Sequence, residues 1–257
     1  MELTEELTYA TVRISRQSEE CIGTGFIVLL HEDGKTPMPF VVTNDHIIGN
    51  NDKADVVFEL CKRDGNGNPI DTDVCEIRST AGEWIRHPDA DIDLRFLPLD
   101  PKLGGKNVFI RTVPTNLIWS EDRIRKELCA MENVVMVGYP YGLADNYNHK
   151  PVFRRGITAT HPKLDYNGKR EILLDITTFT GSSGSPVFIL DTHGYATANG
   201  SCSLGNPRII LLGIFYGHHS AECFLNLKLP LSLGIAIKAS RILEFEQYLQ
   251  RRYAGGK

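Results

Sequence analysis

The sequence lacks a long apolar run and an excess of basic charge. No segment stays apolar for the roughly 20 residues that a membrane-spanning helix needs. The chain carries 28 Lys and Arg residues against 32 Asp and Glu residues, for a net charge of −4. That balance provides no electrostatic attraction to nucleic acid or to an anionic lipid surface. Nucleic acids and membranes are therefore not expected partners.

The sequence also lacks an export signal and a paired-cysteine motif. The opening residues, MELTEELTYATVRIS, contain no basic start followed by an apolar stretch. No two cysteines have the C-x-x-C spacing that is typical of zinc and redox sites. We therefore expect a cytoplasmic location with reduced thiols rather than disulfides. The six cysteines are Cys21, Cys61, Cys75, Cys129, Cys202 and Cys223.

Most of the chain has the pattern of short β-strands. Runs rich in Val, Ile, Leu and Phe follow one another, separated by Gly, Pro, Asn or Asp. At 257 residues, the chain is long enough for one large all-β unit or two small lobes. The pattern predicts an all-β fold with strands at 24–30, 39–44, 54–60, 94–99, 133–140, 171–179, 186–190, 208–217 and 233–239.

Two segments have a helical pattern instead. Residues 120–131 begin with Ser120, a favourable N-cap residue, followed by acidic residues, which predicts a short helix in a connection. In residues 240–253, apolar residues such as Phe245 and Leu249 recur at close to helical spacing. That spacing predicts a C-terminal amphipathic helix.

The segment GSSGS, residues 181–185, stands between two apolar runs and is followed by Pro186. Gly adopts backbone angles that other residues avoid and Ser is frequent in turns, so the segment predicts a tight turn between two strands. The same small residues can also present one hydroxyl, that of Ser183, among several backbone N–H groups. A serine in this setting becomes a nucleophile only with a histidine and a carboxylate nearby.

A histidine and two aspartates stand beside predicted strands earlier in the chain. His46 follows the strand at 39–44 and precedes a Gly-Asn turn, and Asp91 and Asp93 precede the strand at 94–99. A carboxylate at the mouth of a strand can accept the N–H of an imidazole and hold its tautomer. Each residue taken singly could equally be structural, and either aspartate could be the partner of the histidine.

Together these segments resemble the chymotrypsin-like (trypsin-like) serine peptidases, and within them the protease domain of the Deg/HtrA type. The similar segments are GTGFIV and VVTNDHII on the approach to His46, DLRFLPL from Asp93, and GSSGSP around Ser183. Further segments match later landmarks of that domain, in order, as far as residue 245. The separations, 47 residues from His46 to Asp93 and 90 residues from Asp93 to Ser183, also agree with the family's catalytic triad.

The resemblance implies one peptidase domain over 1–257, built from two packed antiparallel β-barrels. The first barrel lobe is expected at 9–99 and the second at 134–239, joined by a connection at 100–133 and followed by the helix at 240–253. Since the resemblance takes up the chain as far as residue 245, the PDZ domain that often follows in Deg/HtrA proteins is not expected here. The implied function is hydrolysis of peptide bonds in a protein or peptide substrate, with no cofactor and no metal.

The family's catalytic roles fall on residues already singled out. The resemblance makes Ser183 the nucleophile, His46 the general base and Asp93 the carboxylate that orients the base. Asp93 is preferred to Asp91 because the residues that follow it reproduce the family's apolar strand. The N–H groups of Gly181 and Ser183 would form the oxyanion hole.

The same resemblance places a primary specificity pocket in the second lobe. Its base would be Thr177, six residues before the nucleophile, where members that select Lys or Arg carry an aspartate. Without that charge little offsets the desolvation of a substrate cation, so cleavage after small or medium apolar residues is expected. The pocket walls would come from Ile214, Phe215, Tyr216, Ile235 and Ala236.

Two residues depart from the family pattern. Ser185 replaces the glycine that usually follows Ser-Gly, and Ser182 stands where members usually carry Asp or Asn. In the digestive and clotting members a new N-terminal ammonium pairs with that aspartate, and Ser182 has no charge to receive it. The loop around Gly181 is therefore either preformed or ordered by a binding partner. Stand-alone intracellular members often belong to multi-protein systems, including prokaryotic defence systems, so an activating partner protein is expected.

Two other functions are alternatives. Residues 181–185 superficially resemble the G-x-S-x-G elbow of the α/β-hydrolases, with Asp191 and either His218 or His219 completing that order. The elbow needs a helix after the serine, whereas PVFIL predicts a strand. The second alternative is a non-catalytic binding module on a peptidase scaffold, since a fold alone does not establish activity.

Overall fold

The structure is a computed structural model that describes residues 2–16, 21–31, 35–222 and 228–254. The described residues form five α-helices, which are α1 (Leu3–Ala10), α2 (Asp45–Ile48), α3 (Asp100–Leu103), α4 (Glu121–Glu127) and α5 (Ser240–Ala254). They also form sixteen strands, which are β1 (Thr11–Arg16), β2 (Cys21–His31), β3 (Pro37–Thr43), β4 (Asp55–Arg63), β5 (Pro69–Thr80), β6 (Ile85–Arg86), β7 (Arg95–Pro98), β8 (Val113–Pro114), β9 (Asn133–Gly138), β10 (Val152–Thr158), β11 (Glu171–Asp175), β12 (Pro186–Asp191), β13 (Gly194–Ala196), β14 (Cys202–Leu204), β15 (Arg208–Glu222) and β16 (Lys228–Lys238). The predicted all-β class with a C-terminal helix is confirmed.

The N-terminal lobe is an eight-stranded sheet with the order β5-β4-β1-β2-β3-β7-β6, and β8 pairs with β2. Every pairing in it is antiparallel except that of β8 with β2. Among the described residues no pairing joins β5 to β6. The apolar side chains on one face form a buried cluster that includes Ile14, Ile27, Val41, Phe58 and Leu97.

The C-terminal lobe is a closed six-stranded barrel with the order β10-β11-β16-β15-β12-β9. All of its pairings are antiparallel. Closure leaves no exposed barrel edge, and the interior is filled by an apolar cluster that includes Met136, Leu174, Val187 and Phe215. The β12–β15 register shifts between Val187 and Phe188, shortly after the serine-rich loop.

A third apolar cluster joins the two lobes and α5. Phe96 of the N-terminal sheet stacks on Phe245 of α5 with ring centroids 3.6 Å apart, and Phe188 of the barrel belongs to the same cluster. Ile242 and Leu249 extend the apolar face of the helix into it. The predicted C-terminal helix is therefore present, and it packs on both lobes.

The second predicted helix is also present, as α4. The hydroxyl of Ser120 accepts a hydrogen bond from the N–H of Arg123 at 3.3 Å, as an N-cap does. The N-terminal helix α1 was not predicted. It has eight residues, and only Leu7, Tyr9 and Ala10 among them are buried, so its apolar pattern is too short to distinguish from a strand.

No helix in the described ranges is both long and apolar enough to cross a membrane. Four cysteines, Cys61, Cys75, Cys129 and Cys202, are free thiols. Cys223 and the side chain of Cys21 lie outside what the structure describes.

Candidate active site

His46 and Asp93 meet at the edge of the N-terminal lobe. His46 lies in the single-turn helix α2, directly after β3, and Asp93 lies two residues before β7. One oxygen of the Asp93 carboxylate is 2.6 Å from Nδ1 of His46, and the other accepts the backbone N–H of His46 at 2.9 Å. The carboxylate thus holds both the ring and the backbone of the histidine. With Nδ1 engaged, the imidazole presents Nε2 as its free base.

Asp91, the other candidate partner, is exposed. Its backbone N–H donates to Asp89 at 3.1 Å. The contact with His46 is therefore made by Asp93, and not by Asp91, among the two aspartates considered.

Two arginines hold the turn that carries His46. Arg95 is 2% exposed; its guanidinium contacts the carboxylate of Asp45 and donates to the carbonyl of Gly49 at 2.6 Å. Arg16 donates to the carbonyl of Ile48 at 2.9 Å. These donors satisfy carbonyls at the C-terminal end of α2 that have no partner within the helix. Sequence reasoning missed this role, although an arginine inside an apolar strand was a visible signal.

The serine-rich segment forms two consecutive tight turns. In the first, the N–H of Ser182 donates to the carbonyl of Phe179 at 3.0 Å; in the second, the N–H of Ser185 donates to the carbonyl of Ser182 at 3.0 Å. The third residue of each turn is a glycine with positive φ, +88° at Gly181 and +87° at Gly184. Turns of this form require such a residue, which explains the spacing of the two glycines.

Close packing reinforces the need for glycine at both positions. A Cβ atom at position 184 would lie 1.8 Å from the carbonyl oxygen of Thr24, and one at position 181 would lie 2.6 Å from that of Tyr139. Both distances are far below van der Waals contact, and both neighbours are backbone atoms that cannot move aside. The loop is therefore fitted against the N-terminal sheet and against the end of β9.

Most carbonyl groups of this loop accept hydrogen bonds, whereas two of its N–H groups have no partner among the described residues. The carbonyl of Thr180 accepts from the N–H of Tyr141 at 2.5 Å, that of Gly181 from the hydroxyl of Thr24 at 2.9 Å, and that of Ser183 from the N–H of Thr24 at 2.8 Å. Within the described part of the chain, no hydrogen bond uses the N–H of Gly181 or of Ser183. Two unused donors beside a serine hydroxyl fit the oxyanion hole expected at Gly181 and Ser183, whose role stays a prediction.

The hydroxyl of Ser183 donates to the carbonyl of Tyr216 at 3.3 Å. Among the hydrogen bonds of the described residues, none joins Ser183 to His46. The contact between a nucleophile and its general base often tightens only when substrate is bound.

A cavity of about 480 Å³ lies between the lobes, next to Asp93. Tyr216 lines it from the barrel and Arg241 lines it from α5. Burial, together with the neighbouring carboxylate of Glu171, raises the pKa of the Tyr216 phenol. The Tyr216 phenol is therefore neutral near pH 7. The lining of the cavity includes both apolar and charged side chains.

The other predicted pocket residues lie at different depths. Thr177 is exposed and Ile235 is half-buried, whereas the side chains of Ile214, Phe215 and Ala236 are buried in the apolar clusters. Phe215 lies directly beneath Gly234, where an added Cβ would be 2.8 Å from its ring. The predicted pocket residues lie on β15, on β16 and just before the loop of Ser183. Their role as a specificity pocket stays a prediction.

The α/β-hydrolase alternative is wrong. The loop leads into strand β12, where the elbow of that fold needs a helix. The carboxylate of Asp191 is 2.7 Å from Arg208 and engaged in that ion pair, and His219 contacts Tyr166 instead.

Two β-lobes that bring together a histidine–aspartate pair and a serine loop with free N–H groups define the trypsin-like serine peptidase fold. The model of the trypsin-like peptidase domain family matches residues 23–196, more than half of the chain. The chain therefore belongs to the trypsin-like peptidase domain family. The resemblance found in the sequence is confirmed.

Solved structures of similar fold include two proteases. A serine endoprotease from Yersinia pestis is similar with a TM-score of 0.54 and 16% identity, over 96% of this chain and 65% of that one. The HtrA-type protease AlgW, solved with a decapeptide, has a TM-score of 0.53 and 15% identity, over 96% of this chain and 66% of that one. This chain thus spans less than two thirds of the length of either neighbour. No curated protein matches the sequence closely enough to count as a relative.

Proposed function

We propose that the protein is a serine endopeptidase with the triad His46, Asp93 and Ser183. The observation that carries the proposal is the double contact of one carboxylate, 2.6 Å to the imidazole and 2.9 Å to the backbone N–H of the same histidine. That contact holds the imidazole with Nε2 free to act as a general base, and Ser183 stands on its double turn with two unused N–H groups. The family membership supports the same reaction class.

The first half of the reaction forms an acyl-enzyme. The hydroxyl of Ser183 leaves the Tyr216 carbonyl and turns toward Nε2 of His46, which takes its proton as the oxygen attacks the substrate carbonyl. Asp93 stabilises the imidazolium that results. The N–H groups of Gly181 and Ser183 donate to the oxyanion of the tetrahedral intermediate. His46 then returns the proton to the departing amine, and the C–N bond breaks.

The second half releases the product. A water molecule gives a proton to His46 and attacks the ester carbonyl, through a second tetrahedral intermediate held by the same two N–H groups. The proton returns to Ser183 when the acid product leaves. The carbonyl of Tyr216, free of the serine hydroxyl during this cycle, is open to accept an N–H of the substrate backbone.

Cleavage is expected after small or medium apolar residues. Position 177 carries a neutral threonine, and no buried carboxylate there would offset the desolvation of a lysine or arginine. The measurement is digestion of a mixed peptide library by the purified protein, with cleaved positions read by mass spectrometry. Ser183→Ala serves as the control for contaminating proteases. A profile dominated by Lys or Arg at the cleaved position would contradict this specificity.

The geometry of the loop supports a preformed oxyanion hole. The carbonyls of Thr180, Gly181, Ser182 and Ser183 are each held within the chain, and Ser182 offers no charge to a new N-terminus. We therefore expect the intact protein, with its mass confirmed, to hydrolyse peptides without removal of its N-terminal residues. An absolute requirement for cleavage near 1–13 would overturn this expectation.

An activating partner acts, on this proposal, by raising activity that the chain already has. A protein component of the same system that binds the competent state more tightly would raise kcat/KM. The proposed setting is a reducing, cytoplasmic one, which the free thiols of Cys61, Cys75, Cys129 and Cys202 support.

A non-catalytic peptide-binding module is the second candidate. The observation that favours it is the hydrogen bond from Ser183 to Tyr216, since no hydrogen bond among the described residues joins the serine to His46. A binding module would retain peptides without cutting them, so the library digestion separates the two candidates.

A further inference from the structure

Thr24 connects the N-terminal sheet to the proposed oxyanion loop through its side chain. It lies in β2 and is completely buried. Its hydroxyl donates to the carbonyl of Gly181 at 2.9 Å and accepts the N–H of Tyr139 at 3.0 Å. A single hydroxyl thus satisfies one buried acceptor and one buried donor on two different segments of the other lobe.

The two segments joined by this hydroxyl also hold each other. Tyr139 directly precedes the short turn Pro140–Gly142. The N–H of Tyr141 in that turn donates to the carbonyl of Thr180 at 2.5 Å. The Thr180 carbonyl and the Gly181 N–H belong to one planar peptide group and point in opposite directions. The bond to Thr180 therefore sets the direction of the Gly181 N–H. The Thr24 hydroxyl bonds the residue after Thr180 and the residue two before Tyr141, so it ties together the two segments that make this bond.

The backbone around this contact is in conformations that need support. Tyr141 has φ of +53° and Gly181 has φ of +88°, and a tyrosine in the left-handed region is uncommon. Thr24 also anchors the loop through its own backbone, since its N–H donates to Ser183 and its carbonyl accepts the hydroxyl of Thr43 at 2.7 Å. The side chain is thereby held in one place.

We propose that the Thr24 hydroxyl is a positioning residue for the oxyanion hole, acting through Gly181 and Tyr139. The inference rests on the proposed peptidase function and deepens it. Among the described residues, the hydrogen-bond partners of the Thr24 hydroxyl are Gly181 and Tyr139, and not Ser183 Oγ. Its effect is to keep the Gly181 N–H aimed at the place where negative charge develops in the transition state, without changing how the ground state binds.

Thr24→Val is the direct test, since valine keeps the shape and loses the hydroxyl. The expected result with a p-nitroanilide of the best library peptide is a kcat lower by about 10- to 100-fold, because small displacements at a catalytic site cost up to roughly 10²-fold, with KM little changed. Affinity for a peptide aldehyde, whose adduct with Ser183 carries the oxyanion, is expected to fall in parallel with kcat. Thr24→Ser, which keeps the hydroxyl, is expected to restore both.

Thr158→Val is the matched control. Thr158 is also buried, and its hydroxyl likewise accepts a backbone N–H, from Glu132 at 2.9 Å, and donates to a carbonyl, that of Ala130 at 3.2 Å. It lies in β10, outside the catalytic loop. This variant is expected to lose stability but to keep its kcat and its aldehyde affinity.

The outcomes separate the inference from the function on which it rests. If the wild type is active, and the Thr24→Val and Thr158→Val variants have the same kcat and the same aldehyde affinity, the role of Thr24 alone is overturned. A wild type that neither hydrolyses peptides nor forms the aldehyde adduct would overturn the peptidase function and this inference with it. If Thr24→Val does not fold, Thr24→Ser and Thr24→Cys are compared, because a thiol is a weak donor and acceptor. Equal kcat in those two would also overturn the role.

Discussion

Ser183→Ala is expected to lower kcat for peptide hydrolysis by about 10⁶-fold, the size of effect seen when a serine nucleophile of this kind is lost. The reason is that Ser183 supplies the oxygen of the ester, whereas the hydroxyls of Ser182 and Ser185 on the same turns are buried. His46→Ala is expected to cause a similar loss, and the double variant is expected to be no worse than either single one, since the triad acts as a unit. Steady-state kinetics with the best library peptide measures all three.

Ser203→Ala is the control for these variants. Ser203 lies in the β13–β14 hairpin and accepts a hydrogen bond from Asn206, away from the loop of Ser183. It is expected to retain wild-type kinetics. Additive losses in the double variant would contradict a joint role for His46 and Ser183.

Asp93→Asn is expected to lower kcat by about 10⁴-fold, the loss known for the equivalent change in a triad of this type. The asparagine amide has no charge to stabilise the imidazolium, and it can turn its N–H donor toward Nδ1. The histidine is then held in the wrong tautomer for accepting a proton at Nε2. Comparison of kcat at matched pH, with circular dichroism to confirm folding, measures the effect.

Asp91→Asn removes the same charge two residues away and serves as the matched control. Asp91 is exposed and its backbone contacts Asp89, so kcat is expected to change little. An inactive Asp91 variant beside an active Asp93 variant would show that the acid of the site is two residues earlier than the contacts with His46 indicate.

The candidate site could be read from the sequence because its residues stand next to strong local signals. His46 and Asp93 adjoin apolar strands, and Gly181 and Gly184 stand where two turns require positive φ. Such features depend on a few consecutive residues. The separation of the three side chains along the chain then matched a known order, which no single segment could show.

The other features of the site depend on contacts between segments that are distant in the sequence, and local sequence patterns do not encode such contacts. The hydroxyl of Thr24 meets Gly181, 157 residues away, and Arg95 meets Gly49, 46 residues away. The depth of a side chain is likewise a tertiary property. Ile214 and Ala236 fill apolar clusters, whereas Tyr216 reaches the cavity, although all three were expected in one pocket wall.

Labelling with a fluorophosphonate is the most direct test of the central claim that Ser183 is an activated nucleophile. This probe phosphonylates a serine hydroxyl only where a base removes its proton and an oxyanion hole stabilises the adduct. One adduct per chain is expected by intact mass, mapped to Ser183 by peptide sequencing and absent in Ser183→Ala and His46→Ala. An unlabelled but folded wild-type protein, or an adduct on another residue that persists in Ser183→Ala, would contradict that claim.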